Sequence, residues 1–193
     1  MLGYLTYDLS TVFLLLVLMT AALTDLRRNR IPNWLTYSSL LIGLTLQTLF
    51  LGMDGLTTAL AGAAVGLAIF LPFYLTGGMG AGDVKLMAAV GSLTTVKIAA
   101  LSAAFGLCLG GVYALMLITS RGEWAAFVQR YAVAIHSKHI SSPNTDSIAG
   151  RRFPFGVAIA GGCVLALGWY SELDFYHLSS ELSYRWQLWG EGQ

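Results

Sequence analysis

An all-α bundle of about six membrane-spanning helices, with its N-terminus outside, is the architecture this chain predicts from its composition, its apolar runs and the placement of its basic residues. Hydrophobic residues make up 56% and charged residues 11% of the 193, and the mean hydropathy is +0.67, whereas soluble domains carry roughly a quarter charged residues. That balance places the chain in lipid. Crossing the hydrocarbon takes roughly 20 predominantly apolar residues per helix, and suitable runs lie at 9–24, 34–51, 56–76, 84–94, 96–119 and 153–170. One integral domain over 1–170, followed by a tail over 171–193, accounts for the length.

The first run has no Lys or Arg before Arg27. A signal peptide places its basic residues ahead of its apolar core, so the run reads as a retained first helix. Arg30-Ile31-Pro32-Asn33 then gives a helix-start signal, because Pro lacks an amide donor and is tolerated in a first turn. The third run carries Gly62-xxx-Gly66 and the fifth Gly106-xxx-Gly110, a spacing that lets membrane helices of one chain approach closely. The fourth run, 84–94, is too short to cross alone and is expected as a short helix, tilted or packed against its neighbours. Between the fifth and sixth runs, over about 120–152, Trp124, Phe127, Val128, Tyr131 and Ile135 recur at helical spacing, which predicts an amphipathic helix on the membrane surface. The polar stretch 141–150, with Pro143 and Asn144, is expected to be a loop. The tail, with Trp186 and Trp189, is expected outside, where it meets the headgroups.

Orientation follows from the rule that positive residues stay cytoplasmic. Arg27, Arg28 and Arg30 follow the first run, and Arg121, Arg130, Lys138, Arg151 and Arg152 lie between the fifth and sixth, while only Lys97 and Arg185 fall in loops on the opposite side. With the N-terminus outside, the chain emerges on the cytoplasmic face after the first run and again between the third and fourth. Two acids sit at those emergences: Asp25, and Asp83 within Gly80-Ala81-Gly82-Asp83. A carboxylate at the edge of the hydrocarbon is costly enough to mark a functional site, and these two share one face. Gly77-Gly78-Met79-Gly80-Ala81-Gly82 leads into Asp83, and glycine permits unusual backbone angles and close approach of another chain. Asn33 is placed to hydrogen-bond across the first cytoplasmic loop.

Asp25-Leu26-Arg27-Arg28-Asn29-Arg30-Ile31-Pro32-Asn33 and Gly80-Ala81-Gly82-Asp83-Val84-Lys85-Leu86 together resemble the two signatures of prepilin peptidases. These are aspartyl proteases of the GxGD class, which also includes archaeal preflagellin peptidases and, more distantly, presenilins. The resemblance extends by topology from about residue 20 to residue 168. It implies that Asp25 and Asp83 are the catalytic pair, that Gly80, Gly82, Pro32 and Asn33 shape the site, and that Lys85 stands beside it. It further implies that the substrate is a prepilin or pseudopilin precursor whose leader is cut at the cytoplasmic face of the inner membrane, with the lipid bilayer as surroundings. Larger members carry an inserted cytoplasmic domain with paired CxxC zinc ligands and also methylate the new N-terminus. Here the only cysteines are Cys108 and Cys163, both inside apolar runs and read as packing residues. With Pro154-Phe155-Gly156-Val157-Ala158-Ile159-Ala160 in the last run, the chain looks more like the compact enzymes of Flp (Tad-type) pili. Archaeal-type preflagellin and general type IV prepilin peptidases are the alternatives within the class.

The implied chemistry has one Asp ionised, taking a proton from water, and the other protonated, polarising the scissile carbonyl. Which is the base stays open. Lys85 either faces Asp83 or snorkels to the headgroups. No cofactor, metal or nucleic-acid partner is expected: His136 and His139 share a helix face but have no acidic or cysteine partners nearby. Two other classes compete. A proton-coupled transporter also uses paired membrane acids and broken helices, but no inverted repeat is visible and both acids lie at one face. An inactive pilus-assembly factor would share the fold while lacking a catalytic acid, and both acids are present.

Overall fold

The computed structural model describes residues 2–121 and 154–170. The amphipathic helix, the 141–150 loop, the histidine pair and the tail all fall outside the described residues. Within them the structure is helical: α1 (Leu2–Arg28), α2 (Asn33–Leu75), α3 (Ala81–Leu93), α4 (Val96–Arg121) and α5 (Phe155–Trp169). The described residues thus hold five helices, of which α1, α2 and α4 are long and apolar enough to cross a membrane.

α1 is apolar on both faces, as a helix between lipid and protein must be. Leu9, Val12, Leu16, Met19 and Leu23 are exposed on one side, while Leu14, Val17, Leu18 and Ala21 are buried on the other. Asp25 continues the buried stripe at helical spacing, so the register of the apolar residues turns its carboxylate inward. The helix stops one turn later at Asn29, which takes a left-handed φ of 48° while its N–H still donates to the Asp25 carbonyl at 2.7 Å. Asn is among the few residues that tolerate this conformation.

The second and third apolar runs form two helical arms, as expected, but the joint between them is tighter than a four-residue 52–55 turn: helical hydrogen bonding runs on to either side of a single non-helical residue. Straight, the 43 residues of α2 would reach about 65 Å, twice the hydrocarbon thickness. The chain reverses at a single residue, Gly52, whose φ of 64° and ψ of −142° are conformations in which a Cβ would clash. Helix resumes at once on the far side. The arms fold back on each other: Gly43 in the first meets Ser92, and Gly62 in the second meets the neighbouring Gly91. Gly66 rests on the Met87 backbone, so the second arm runs antiparallel to α3.

α2 ends in a Schellman turn. Gly77, with φ 76°, donates its N–H to the Tyr74 carbonyl at 2.9 Å, and Gly78 donates to Phe73 at 3.0 Å. α3 is then capped by Gly80 and runs for 13 residues, about 20 Å, short of the hydrocarbon thickness. It is packed on all sides, as the shortness of its run predicts: Leu86, Met87, Ala89, Val90 and Ser92 have essentially no exposed surface. α4 and α5 form an antiparallel pair whose seam is glycine on glycine, with Gly162 against Gly106. Both small-residue motifs therefore serve contacts inside the chain. Phe155, at the first position of α5, wedges against Gly110 of α4 and meets the buried Phe70 of α2 edge to face, centroids 6.0 Å apart. That anchor fixes where α5 begins.

Candidate active site

The end of α1, both ends of α2, and the starts of α3 and α5 converge at one end of the bundle. Asp25 lies there, 3% exposed. Its Oδ2 accepts the Gly156 N–H at 2.7 Å. The first N–H groups of a helix have no partner within it, and Gly156 is in the first turn of α5, so this donor is free for a carboxylate. The position also has an electrostatic logic. A carboxylate at the C-terminal end of α1 faces the negative end of that helix's dipole, and the positive N-terminal end of α5 offsets it.

Asp83 occupies the first turn of α3 and is 8% exposed. Its Oδ2 accepts the Gly80 N–H at 3.1 Å, a reach back to the residue that caps the helix. The Asp25 charge acts directly on Asp83, so two residues distant in sequence become electrostatic neighbours. Each carboxylate thus accepts one backbone N–H, and the two lie within electrostatic reach of each other.

Ile31 joins the parts. It is the single buried apolar residue of a basic loop, 8% exposed, and it packs against two glycines at once. A methyl on Gly82 would stand 3.2 Å from Ile31 Cβ, and a methyl on Gly156 would stand 3.2 Å from Ile31 Cδ1 and 3.0 Å from Asp25 Oδ2. Bare glycine at both places lets α3 and α5 close on the loop that follows Asp25.

The other expected site residues lie around this centre. Pro32 caps α2 in extended conformation (φ −70°, ψ 138°), its carbonyl accepting from Leu35 at 3.1 Å. Asn33 bonds to a neighbouring helix and not across its own loop: Lys85 Nζ of α3 donates to its Oδ1 at 3.0 Å and lies 5.0 Å from the centre of the Tyr37 ring, a cation–π contact. The Lys85 ammonium is therefore taken up by α2, tying α3 to the start of that helix, instead of reaching for Asp83. Both expected uses of glycine are present, at different positions. Left-handed φ is needed at Gly77, whereas Gly80 has an ordinary φ of −78° and Gly82 is required for its close approach to Ile31.

Sequence reasoning did not single out Gly156 and Ile31. A lone isoleucine amid Arg27, Arg28, Asn29 and Arg30, and a glycine directly after Pro-Phe at a helix start, were the available signals. Among the described residues no three His, Cys, Asp or Glu side chains gather as a metal site would require. What the site offers is a pair of buried carboxylates at the edge of a membrane bundle, an arrangement suited to sharing one proton and activating water.

The family model of the type IV leader peptidases matches residues 12–115, a span that holds Asp25, Ile31, Gly82 and Asp83 and stops short of α5. No curated protein and no solved structure gives a significant match. With more than half of its length matched, including both carboxylates, the chain belongs to the type IV leader peptidase family.

Proposed function

We propose that this chain is a membrane-embedded aspartyl endopeptidase that removes the leader of prepilin-like precursors, of the Flp (Tad) type, at the cytoplasmic face of the inner membrane. The observation that carries the reading is the placement of Asp25 and Asp83 within electrostatic reach at one end of the bundle, each buried and each held by a backbone N–H, in a chain of a leader peptidase family. Two adjacent carboxylates cannot readily both ionise, so the pair holds one proton. The ionised member takes a proton from water as the water oxygen bonds to the scissile carbonyl carbon. The protonated member gives its proton to the carbonyl oxygen, forming a tetrahedral diol. Collapse breaks the C–N bond: the first acid passes its proton to the departing nitrogen, the diol returns one to the second, and the dyad ends as it began.

The site's place at one end of the bundle favours hydrolysis over transport, since a transported ion would need acids near the midplane. The Tad-type assignment is supported by the two cysteines, Cys108 and Cys163, which lie in α4 and α5 and form no paired CxxC zinc site, and by the resemblance of residues 154–160. The test is co-expression with epitope-tagged precursors of Tad-type pilins, archaeal flagellins and general type IV pilins. Leader removal from the Tad-type precursor, dependent on this chain, is the expected result. Cleavage of another class alone would move the assignment, and cleavage of none would remove it.

A further inference from the structure

The family match ends at residue 115, yet one of the two backbone donors in the dyad comes from α5. We propose that the first turn of α5 is a third component of the active site, in which the Gly156 N–H positions Asp25 and keeps it as the ionised base, leaving Asp83 as the acid. This inference rests on the protease reading above and assigns the roles within it.

Three features carry it. The Gly156 bond to Asp25, at 2.7 Å, has the length of a charge-assisted hydrogen bond, whereas the Gly80 bond to Asp83, at 3.1 Å, has that of a neutral one. Both carboxylates sit near a helix N-terminus, but Asp25 also faces the negative end of α1, so the dipoles give it no advantage and the ranking rests on the bond lengths. Next, the contact is built for close approach. A methyl on Gly156 would come within 3.0 Å of Asp25 Oδ2 and 3.2 Å of its Cβ, so only glycine brings the amide this near. Finally, the donor is held from behind. Phe155 is locked between Phe70 and Gly110, and the next amide, that of Val157, is spent on the Pro154 carbonyl at 3.3 Å. Gly156 is a positioning residue: it acts through Asp25 and touches no reacting atom.

The assignment is tested by deleting single N–H groups. Full-length protein is translated cell-free into nanodiscs, with α-hydroxy acids placed by suppressor tRNA so that an ester oxygen replaces the amide nitrogen of residue 156, 80 or 157. The probe is a purified precursor with a prepilin-type leader and a C-terminal tag. The ester at 156 is expected to lower kcat about 10- to 100-fold, the range for one hydrogen bond to a charged group, with KM within about threefold of the parent protein. The ester at 157 should leave kcat within about twofold, and the ester at 80 should cost less than that at 156. A kcat within about threefold at 156, or an equal or larger loss at 80, overturns the assignment. Gly156→Ala is a second route, because it keeps the N–H but crowds Oδ2; it too should lower kcat at unchanged KM, and unchanged kcat would count against the proposal. Asp25→Asn separates the layers. If that variant cleaves, the protease reading itself falls; if it is inactive while the 156 ester works normally, only the role of α5 does.

Discussion

Replacing Gly82 by alanine adds one methyl group, and the structure says what that methyl meets. It would stand 3.2 Å from Ile31 Cβ and 3.4 Å from the Ile31 carbonyl oxygen, a few tenths of an ångström inside the usual carbon contact distance. Neither neighbour is the free end of a flexible side chain, so the loop itself must give. Overpacking of this kind costs about 1 kcal/mol at the low end of its range, which a domain stable by roughly 5–15 kcal/mol survives. The displacement nevertheless reaches the chemistry, because Ile31 also lies against Gly156, which bonds Asp25. If a misplacement of about 1 Å costs about 10²-fold in rate, a shift of about 0.3 Å costs about fourfold. Gly82→Val, with two further methyls, should approach the 10²-fold loss. The assay is single-turnover cleavage by detergent-purified protein, normalised to folded molecules, beside a thermal unfolding curve. Ile31→Val trims only Cδ1, so it should not rescue Gly82→Ala, whose contacts are with Cβ and the backbone, but should partly relieve Gly156→Ala. Activity per folded molecule at the parent level in Gly82→Val, or a loss that merely tracks folded yield, would refute the coupling from Gly82 through Ile31 to the dyad.

Gly62→Val should act in the opposite sense. Its side chain would collide with the Gly91 backbone at the centre of the bundle, so folded yield should fall severely, by the 1–3 kcal/mol or more typical of overpacking, while surviving molecules cleave normally; size-exclusion yield and specific activity together check this. Lys85→Met removes one hydrogen bond to Asn33 and the Tyr37 contact, both solvent-exposed, a loss of about 0.5–1 kcal/mol. It should lower the unfolding temperature slightly and leave kcat within about threefold, whereas a collapse of kcat would place Lys85 in the chemistry. Single cysteines at Asn29 and Gly78, in a variant lacking Cys108 and Cys163, should both be labelled from the cytoplasmic side; opposite accessibility would contradict the proposed orientation.

The features legible in the sequence were those set by local chemistry. The apolar runs marked the helices because a lipid-facing helix must be apolar all round, and Asp25 was readable because it interrupts such a run. The Gly-xxx-Gly pairs implied close packing because a missing Cβ has few other uses in a membrane helix. What escaped depended on distance along the chain. The Gly156 bond to Asp25 joins residues 131 positions apart, and no local pattern marks which helix start will meet which helix end. The reversal at Gly52 was placed within a longer turn, because a glycine reversal inside continuous apolar sequence looks like an ordinary loop tip. The glycines before Asp83 were read as a group, without separate structural duties. In the fold Gly77 and Gly78 end α2, Gly80 caps α3, and Gly82 makes room for Ile31.

The central claim is that Asp25 and Asp83 form one catalytic unit, and amide substitution with purified protein tests it most directly. Asp25→Asn and Asp83→Asn nearly preserve size, and Asp54→Asn serves as a control on an acid of α2 remote from the site. Leader cleavage of a prepilin-type precursor should fall by about 10³-fold or more in each dyad variant, with the double variant no worse than about tenfold below the weaker single one, as expected of residues that act together. Asp54→Asn should cleave normally. A folded Asp25→Asn or Asp83→Asn protein that cleaves within about tenfold of the parent rate would contradict the two-aspartate mechanism.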